Sequence, residues 1–196
     1  MGEARIYLDE RGVDREVVLT HARRAARGLH ALGVREGDVV ALLLRNDFAF
    51  FEAQQAAAAL GAYCVPINWH GKAEEVRYIL DDAKPKVLVA HVDLLSPLRD
   101  ILPASVQILA VPTPPEIVAR YSLDASILVP RPSDVMWPQW SLQYEPWDGP
   151  PMRTRATMIY TSGTTGHPKG VQRQASTPQQ AAAYMDMIAR VYGLVP

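Results

Sequence analysis

Apolar and polar positions in the first 110 residues alternate between the period of a strand and the period of a helix. The continuous apolar run at 39–44 is typical of a strand that is covered on both faces, and further strands are predicted at 63–67, 86–90 and 106–110. The segments between them have apolar residues at helical spacing, which predicts helices over 20–32, 47–60, 74–82 and 94–102. Thr20 and either Asn46 or Asp47 are the expected N-caps of the first two helices, and Gly33 and Gly61 are expected to end them. This alternation predicts an α/β fold with a mostly parallel sheet flanked by helices.

Composition changes in the second half of the chain. Eleven of the sixteen prolines lie between Pro103 and Pro168, and Trp137, Trp140 and Trp147 lie close together. We therefore divide the chain into an α/β subdomain at 1–129, a Pro- and Trp-rich connection at 130–156, and a strand, loop and helix at 157–196. Residues 130–155 are predicted to form a long loop. Long loops commonly pack large aromatic side chains onto the core, so we interpret the tryptophans as anchors rather than as a partner surface.

Charge and hydropathy exclude several classes of protein. Twenty basic and twenty-one acidic residues leave a net charge of −1, so no broad attraction to nucleic acid or to an anionic membrane is expected. The longest stretch of low polarity, 56–67, is too short to span a bilayer, and the first residues lack the features of a signal peptide. These observations predict a cytoplasmic protein. The single cysteine, Cys64, lies in an apolar run and is expected to be a buried thiol.

The strongest candidate for a binding site is a loop that follows an apolar strand at 157–160 and ends in a lysine. Its glycines allow consecutive backbone N–H groups to turn toward one anion, its hydroxyl groups add donors, and its lysine adds a mobile positive charge. The glycine and lysine spacing differs from that of a Walker A loop, and no Rossmann fingerprint is present. A short strand at 170–173 and a helix at 178–192 are predicted to follow. The expected phosphate-binding residues are Thr161, Ser162, Gly163, Thr164, Thr165, Gly166 and Lys169.

The segment YTSGTTGHPKG at 160–170 resembles the phosphate-binding signature of the adenylate-forming superfamily, which includes acyl-CoA synthetases. Segments at 28–34, 37–41 and 61–68 resemble the N-terminal region of these enzymes in the same order, so the resemblance covers nearly the whole chain except the connection. It implies the first part of the large N-terminal domain of an acyl-CoA synthetase-like enzyme, with that domain incomplete at Pro196. In this family a carboxylate attacks the α-phosphate of ATP with magnesium bound. Pyrophosphate leaves, and a thiol, commonly that of coenzyme A, captures the acyl-adenylate.

The resemblance implies that the loop at 161–169 holds the β- and γ-phosphates of ATP. In full members of the family, the acyl pocket, the adenine and ribose contacts, the acidic metal site and the C-terminal lysine come after this loop, and none of their motifs is found in these 196 residues. No catalytic residue is therefore expected here, no metal ligand is assigned, and the chain is expected to be an inactive fragment. ATP, Mg²⁺, coenzyme A and a small carboxylate are the expected ligands of the full enzyme. Core surface exposed by truncation is expected to favour self-association.

Three hypotheses are open from the sequence. The favoured one is the N-terminal part of an acyl-CoA synthetase, because residues 66–70, Pro-Ile-Asn-Trp-His, resemble synthetase sequences. Another adenylate-forming branch, such as a peptide-synthetase adenylation domain, is an alternative within this hypothesis. The second is a stand-alone module that binds nucleotide or phosphate without catalysis. The third is a structural domain that binds a partner through its tryptophans.

Overall fold

The computed structural model describes residues 4–8, 10–150, 152–153, 155, 157–161, 169–171, 179, 182–183 and 186–187. A partly exposed hairpin comes first, in which β1 (Arg5–Leu8) pairs antiparallel with β2 (Arg11–Asp14). Helix α1 (Arg15–Ala31) follows at once, because the Asp14 side chain accepts a hydrogen bond of 2.7 Å from the backbone N–H of Glu16. The prediction that Thr20 caps this helix is therefore wrong.

The central sheet has five parallel strands among the described residues, in the order β4-β3-β5-β6-β7. The strands are β3 (Val39–Leu43), β4 (Tyr63–Pro66), β5 (Val87–His91), β6 (Gln107–Val111) and β7 (Val135–Met136). The helices that connect or follow them are α2 (Phe48–Ala59), α3 (Ala73–Ala83), α4 (Val92–Leu95), α5 (Pro115–Tyr121) and α6 (Trp137–Ser141). This architecture confirms the predicted α/β fold.

Alternate side chains of each strand belong to two separate cores. Val40 and Leu42 of β3 pack with residues of α1 and α2 on one face, whereas Ala41 and Leu43 pack with residues of α3 and α4 on the other. Successive side chains of a strand point to opposite faces, so a strand covered on both faces must be apolar at every position. The continuous apolar runs of the sequence follow from this double coverage.

Two parts of the predicted architecture are wrong. The helix expected over 94–102 is the single turn α4 followed by a 3-10 helix (Ser96–Ile101), with Pro97 at the start of the latter. The loop expected over 130–155 contains β7 and α6, which extend the sheet and its covering layer. The helix expected over 178–192 lies mostly outside the described residues. No described helix is long and apolar enough to cross a membrane.

The tryptophans of the 130–156 segment are anchors, as interpreted from the sequence. Trp137 and Trp140 are buried in the core that α1 and α2 share, and Trp147 packs against the edge of that core. The backbone N–H of Trp147 donates to the carbonyl of Arg23 at 2.9 Å, which fixes the segment along α1. The division of the chain at 129 and 156 stays a prediction.

Gly28 of α1 lies directly under this aromatic cluster, and Gly28→Ala is expected to lower the free energy of unfolding by about 1–3 kcal/mol. A Cβ atom at this position would lie 2.6 Å from Cζ2 of Trp140 and 2.8 Å from Cε2 of Tyr144. Helix propensity alone predicts the opposite sign, because alanine is favoured over glycine by about 1 kcal/mol within a helix. Urea unfolding measures the difference, with the exposed-face variant Arg23→Ala as control. A more stable Gly28→Ala variant would contradict the packing.

Candidate functional site

The predicted phosphate-binding loop is closed at its base by a two-stranded hairpin. Strand β8 (Ile159–Thr161) pairs antiparallel with β9 (Lys169–Val171), and the register places Thr161 opposite Lys169. Directly opposed residues of antiparallel strands project from the same face of the sheet. The hydroxyl group of Thr161 and the ammonium group of Lys169 are therefore brought to one side of the loop entrance, and both residues are exposed.

Only part of the predicted site falls within the described residues. Thr161 and Lys169 are described, and the structure brings these two ends together. The other five predicted residues, Ser162, Gly163, Thr164, Thr165 and Gly166, lie outside the described residues. The strand predicted at 170–173 is observed as β9, one residue earlier.

Contacts with the central sheet fix the position of the chain before the loop. The backbone N–H of Met158 donates to the carbonyl of Cys64 in β4 at 2.9 Å, and the Met158 side chain is buried. Arg155 donates to the carbonyl of Gly61 at 2.9 Å and to the hydroxyl of Tyr63 at 3.0 Å. The loop is therefore attached to the β4 side of the sheet. The Cys64 thiol is buried as predicted, and burial raises its pKa to about 12.

Tyr160 links the hairpin to α3 and was not predicted as a site residue. Its hydroxyl donates to Oδ2 of Asp82 at 2.5 Å. Burial, followed by the hydrogen bond and charge of Asp82, raises the pKa of Tyr160 above its usual value, so the hydroxyl stays protonated near neutral pH. The sequence contains no local signal for this contact, since 78 positions separate the two residues.

A second group of charged side chains lies at the carboxyl ends of β3 and β5. Arg45 forms a buried ion pair of 2.7 Å with Asp93, and Asp93 also accepts a hydrogen bond of 2.7 Å from Thr113. Nδ1 of the fully buried His91 accepts from the backbone N–H of Arg45, and its Nε2 lies 3.4 Å from Asp47. Burial raises the pKa of both aspartates, but hydrogen bonds to the carboxylates outweigh burial and hold each pKa below its usual value. These opposite charges stabilise one another at the carboxyl ends of the two strands.

Trp69 packs against this charged group. The Arg45 guanidinium lies 4.8 Å from the centre of the Trp69 ring and 5.2 Å from that of Tyr121. Such contacts are favourable for a desolvated cation. The structure therefore gives Trp69 a packing role in the 66–70 segment.

A cavity of about 300 Å³ opens beside these residues, between α1, α2, α6 and the segment after β6. Its polar lining residues are bonded within the protein. Glu52 accepts from Nε1 of Trp137 at 2.9 Å and lies 3.1 Å from Nδ1 of His21, while Arg11 pairs with Asp47 at 2.8 Å. Across the part of the chain that the structure describes, no group of three or more His, Cys, Asp or Glu residues is arranged to hold a metal ion. The hairpin is thus the candidate site.

The family is decided by a comparison with protein-family models. The model of the AMP-binding enzymes matches residues 14–194, which is most of the chain. The chain belongs to the AMP-binding enzyme family. This membership confirms the resemblance to adenylate-forming enzymes inferred from the loop and from the upstream segments.

Related ligases and solved structures agree with this membership. The chain is 36% identical over 166 residues to the long-chain-fatty-acid–CoA ligase FadD13 of Mycobacterium tuberculosis, covering 83% of this chain and 29% of that protein. It is 33% identical over 175 residues to the indoleacetate–CoA ligase of Aromatoleum aromaticum, covering 86% and 31%. The N-terminal domain of FACL13 from Mycobacterium tuberculosis superimposes with a TM-score of 0.66 at 26% identity, over 94% of this chain and 43% of that one. This AMP-binding chain therefore spans less than a third of the length of the two ligases.

Proposed function

We propose that this chain is the N-terminal part of an ATP-dependent acyl-CoA synthetase and that residues 161–169 hold the β- and γ-phosphates of ATP. The observation that carries the proposal is the pairing of Thr161 with Lys169, which closes the loop rich in Ser, Thr and Gly at its base. Thr161 and Lys169, the two described ends of the loop, are thereby held opposite each other before the ligand arrives. Preorganised donors stabilise developing negative charge more effectively than donors that must reorganise during the reaction.

The proposed reaction has two steps. A carboxylate oxygen attacks the α-phosphate of ATP, the bond to the β-phosphate breaks, and pyrophosphate leaves with Mg²⁺ bound. A thiolate then attacks the carbonyl carbon of the acyl-adenylate and releases AMP. In the first step negative charge accumulates on the departing pyrophosphate, where the loop supplies hydrogen bonds and the charge of Lys169. The described residues contribute no nucleophile to either step.

The thiol acceptor is proposed to be coenzyme A. FadD13 and the indoleacetate enzyme are both named as CoA ligases, which supports this choice. A second candidate is an acyl-carrier protein, because the chain is also 31% identical over 166 residues to the fatty acid–[acyl-carrier-protein] ligase ScoC of Streptomyces coeruleorubidus. We propose a carboxylic acid, as a small-molecule ligand, as the other substrate.

Titration of the 196-residue chain with inorganic pyrophosphate tests the role of the loop. We expect the amide NMR signals of Thr161 and Lys169 to shift, with a Kd of about 1 mM, which corresponds to about −4 kcal/mol. The affinity is expected to be low because few groups contact the ligand. Inorganic sulfate, with a single anionic centre, is the control and is expected to bind more weakly. The absence of any shift at these two residues would contradict the proposal.

Calorimetry with Mg-ATP separates the synthetase from the stand-alone module. Adenine and ribose contacts are proposed to lie outside this chain, so Mg-ATP is expected to bind about as weakly as pyrophosphate. Micromolar binding corresponds to about −8 kcal/mol and would require contacts to the whole nucleotide. That result would favour a complete nucleotide-binding module.

A further inference from the structure

The last turn of α3 carries two neighbouring carboxylates, Asp81 and Asp82. Carboxylates are disfavoured at the C-terminal end of a helix, where the helix dipole is negative. Asp81 is compensated within the helix by the Nε–H of Arg77 at 2.7 Å. The charge of Asp82 is stabilised from outside the helix, by a hydrogen bond that the hydroxyl of Tyr160 donates. The helix end and the phosphate-loop hairpin are therefore joined through one hydrogen bond.

The ring of Tyr160 also occupies the space above Gly170, its cross-strand partner. A Cβ atom on Gly170 would lie 2.9 Å from Cζ and 3.1 Å from the hydroxyl oxygen of Tyr160. The ring thus rests on the backbone of the residue that follows Lys169. The ring therefore covers β9 at Gly170.

The hydrogen bond to Asp82 helps to hold the Tyr160 ring, because the ring is not fully packed by its neighbours. A cavity of about 130 Å³ borders Tyr160 and is lined mainly by Pro66, Ile67, Val76 and Ile79. Packing is therefore incomplete on that side, and the ring has space into which it can turn. An isolated two-stranded hairpin is only marginally stable in water, so β8 and β9 depend on contacts outside the pair.

We infer that Tyr160 and Asp82 are positioning residues for polyphosphate binding, an inference that rests on the proposed function of the loop. Asp82 holds the Tyr160 hydroxyl, the Tyr160 ring holds the backbone at Gly170, and Lys169 is thereby kept opposite Thr161. Neither side chain needs to contact the ligand. Their effect is to preorganise the two described ends of the loop.

The test uses the 196-residue chain and pyrophosphate as the probe. Tyr160→Phe keeps an aromatic ring at this position but removes the donor, and Asp82→Ala removes the acceptor. Each variant is expected to raise the Kd for pyrophosphate about fivefold, the effect of one lost hydrogen bond, and to accelerate hydrogen–deuterium exchange of the β8 and β9 amides. Asp82→Asn keeps an acceptor oxygen and is expected to bind like the wild type. The matched control is Asp81→Ala, which removes the neighbouring carboxylate and is expected to leave the Kd unchanged.

Failure of the inference and failure of the proposed function give different results. If the wild-type chain shows no pyrophosphate shifts, the proposed function of the loop is overturned. If the wild type binds and Tyr160→Phe and Asp82→Ala bind equally well, only the positioning role is overturned. Equal effects of Asp81→Ala and Asp82→Ala would also overturn it, because they would show a general effect of charge. A raised Kd for Tyr160→Phe and Asp82→Ala, with Asp82→Asn near the wild type, supports the inference.

Discussion

Lys169→Ala is expected to reduce adenylate formation by the proposed full-length synthetase about 100-fold. Hydrogen bonds to charged groups contribute about 1.5–3 kcal/mol, and each 1.4 kcal/mol that acts in the transition state changes the rate about tenfold. Lys169 stands opposite Thr161 at the base of the loop, where the charge of the leaving pyrophosphate is proposed to collect. ATP–pyrophosphate exchange measures this step directly.

The matched control for this substitution is Lys84→Ala. Lys84 is an exposed lysine at the end of α3 and has no assigned role in the loop. Its replacement removes the same charge from the chain and is expected to leave the exchange rate within about twofold, since an exposed charge away from the site contributes little. Lys169→Ala should also leave the free energy of unfolding nearly unchanged, because the side chain is exposed. Unchanged pyrophosphate exchange in Lys169→Ala would contradict the assigned role.

The sequence allowed prediction of the sheet because its strands are covered on both faces. The runs at β3, β4, β5 and β6 are apolar at nearly every position, whereas a strand with one face in solvent would alternate apolar and polar residues. Strand β7 was not predicted, because two residues are too few to show the alternation of apolar and polar positions that is typical of a strand. The β1–β2 hairpin was not predicted because its residues are exposed or half-buried.

The candidate site also has a part that the sequence indicates and a part that it does not. The loop could be proposed from the sequence because its hydroxyl, glycine and lysine residues are contiguous, and its role stays a prediction. The contact between Tyr160 and Asp82 was not, because it depends on how β8 approaches the end of α3. The charged group around Arg45 and Asp93 also arises only when the carboxyl ends of β3 and β5 lie side by side. Contacts set by tertiary structure leave no periodic or local signal in a single sequence.

Trp137→Ala is expected to lower the free energy of unfolding by about 3–5 kcal/mol, the usual cost of removing a large buried aromatic side chain. Trp137 is 1% exposed, and its ring centre lies 5.4 Å from that of Trp140. The substitution leaves a cavity between the sheet and α1, and it removes the N–H group that donates to Glu52 at 2.9 Å. Folded domains have about 5–15 kcal/mol of total stability, so this one substitution is expected to remove a substantial share of it. Urea unfolding followed by circular dichroism measures the change.

Two further variants separate packing from hydrogen bonding at Trp137. Trp137→Phe keeps most of the apolar surface but removes the hydrogen bond to Oε2 of the buried Glu52, which is expected to cost about 1–3 kcal/mol. Trp147→Ala is expected to cost less than Trp137→Ala, because Trp147 is only half-buried at the edge of the core. If the tryptophans instead formed a partner surface, Trp137→Ala would leave the free energy of unfolding nearly unchanged. A loss below about 1 kcal/mol would therefore contradict the anchoring role, since surface substitutions rarely exceed about 0.5 kcal/mol.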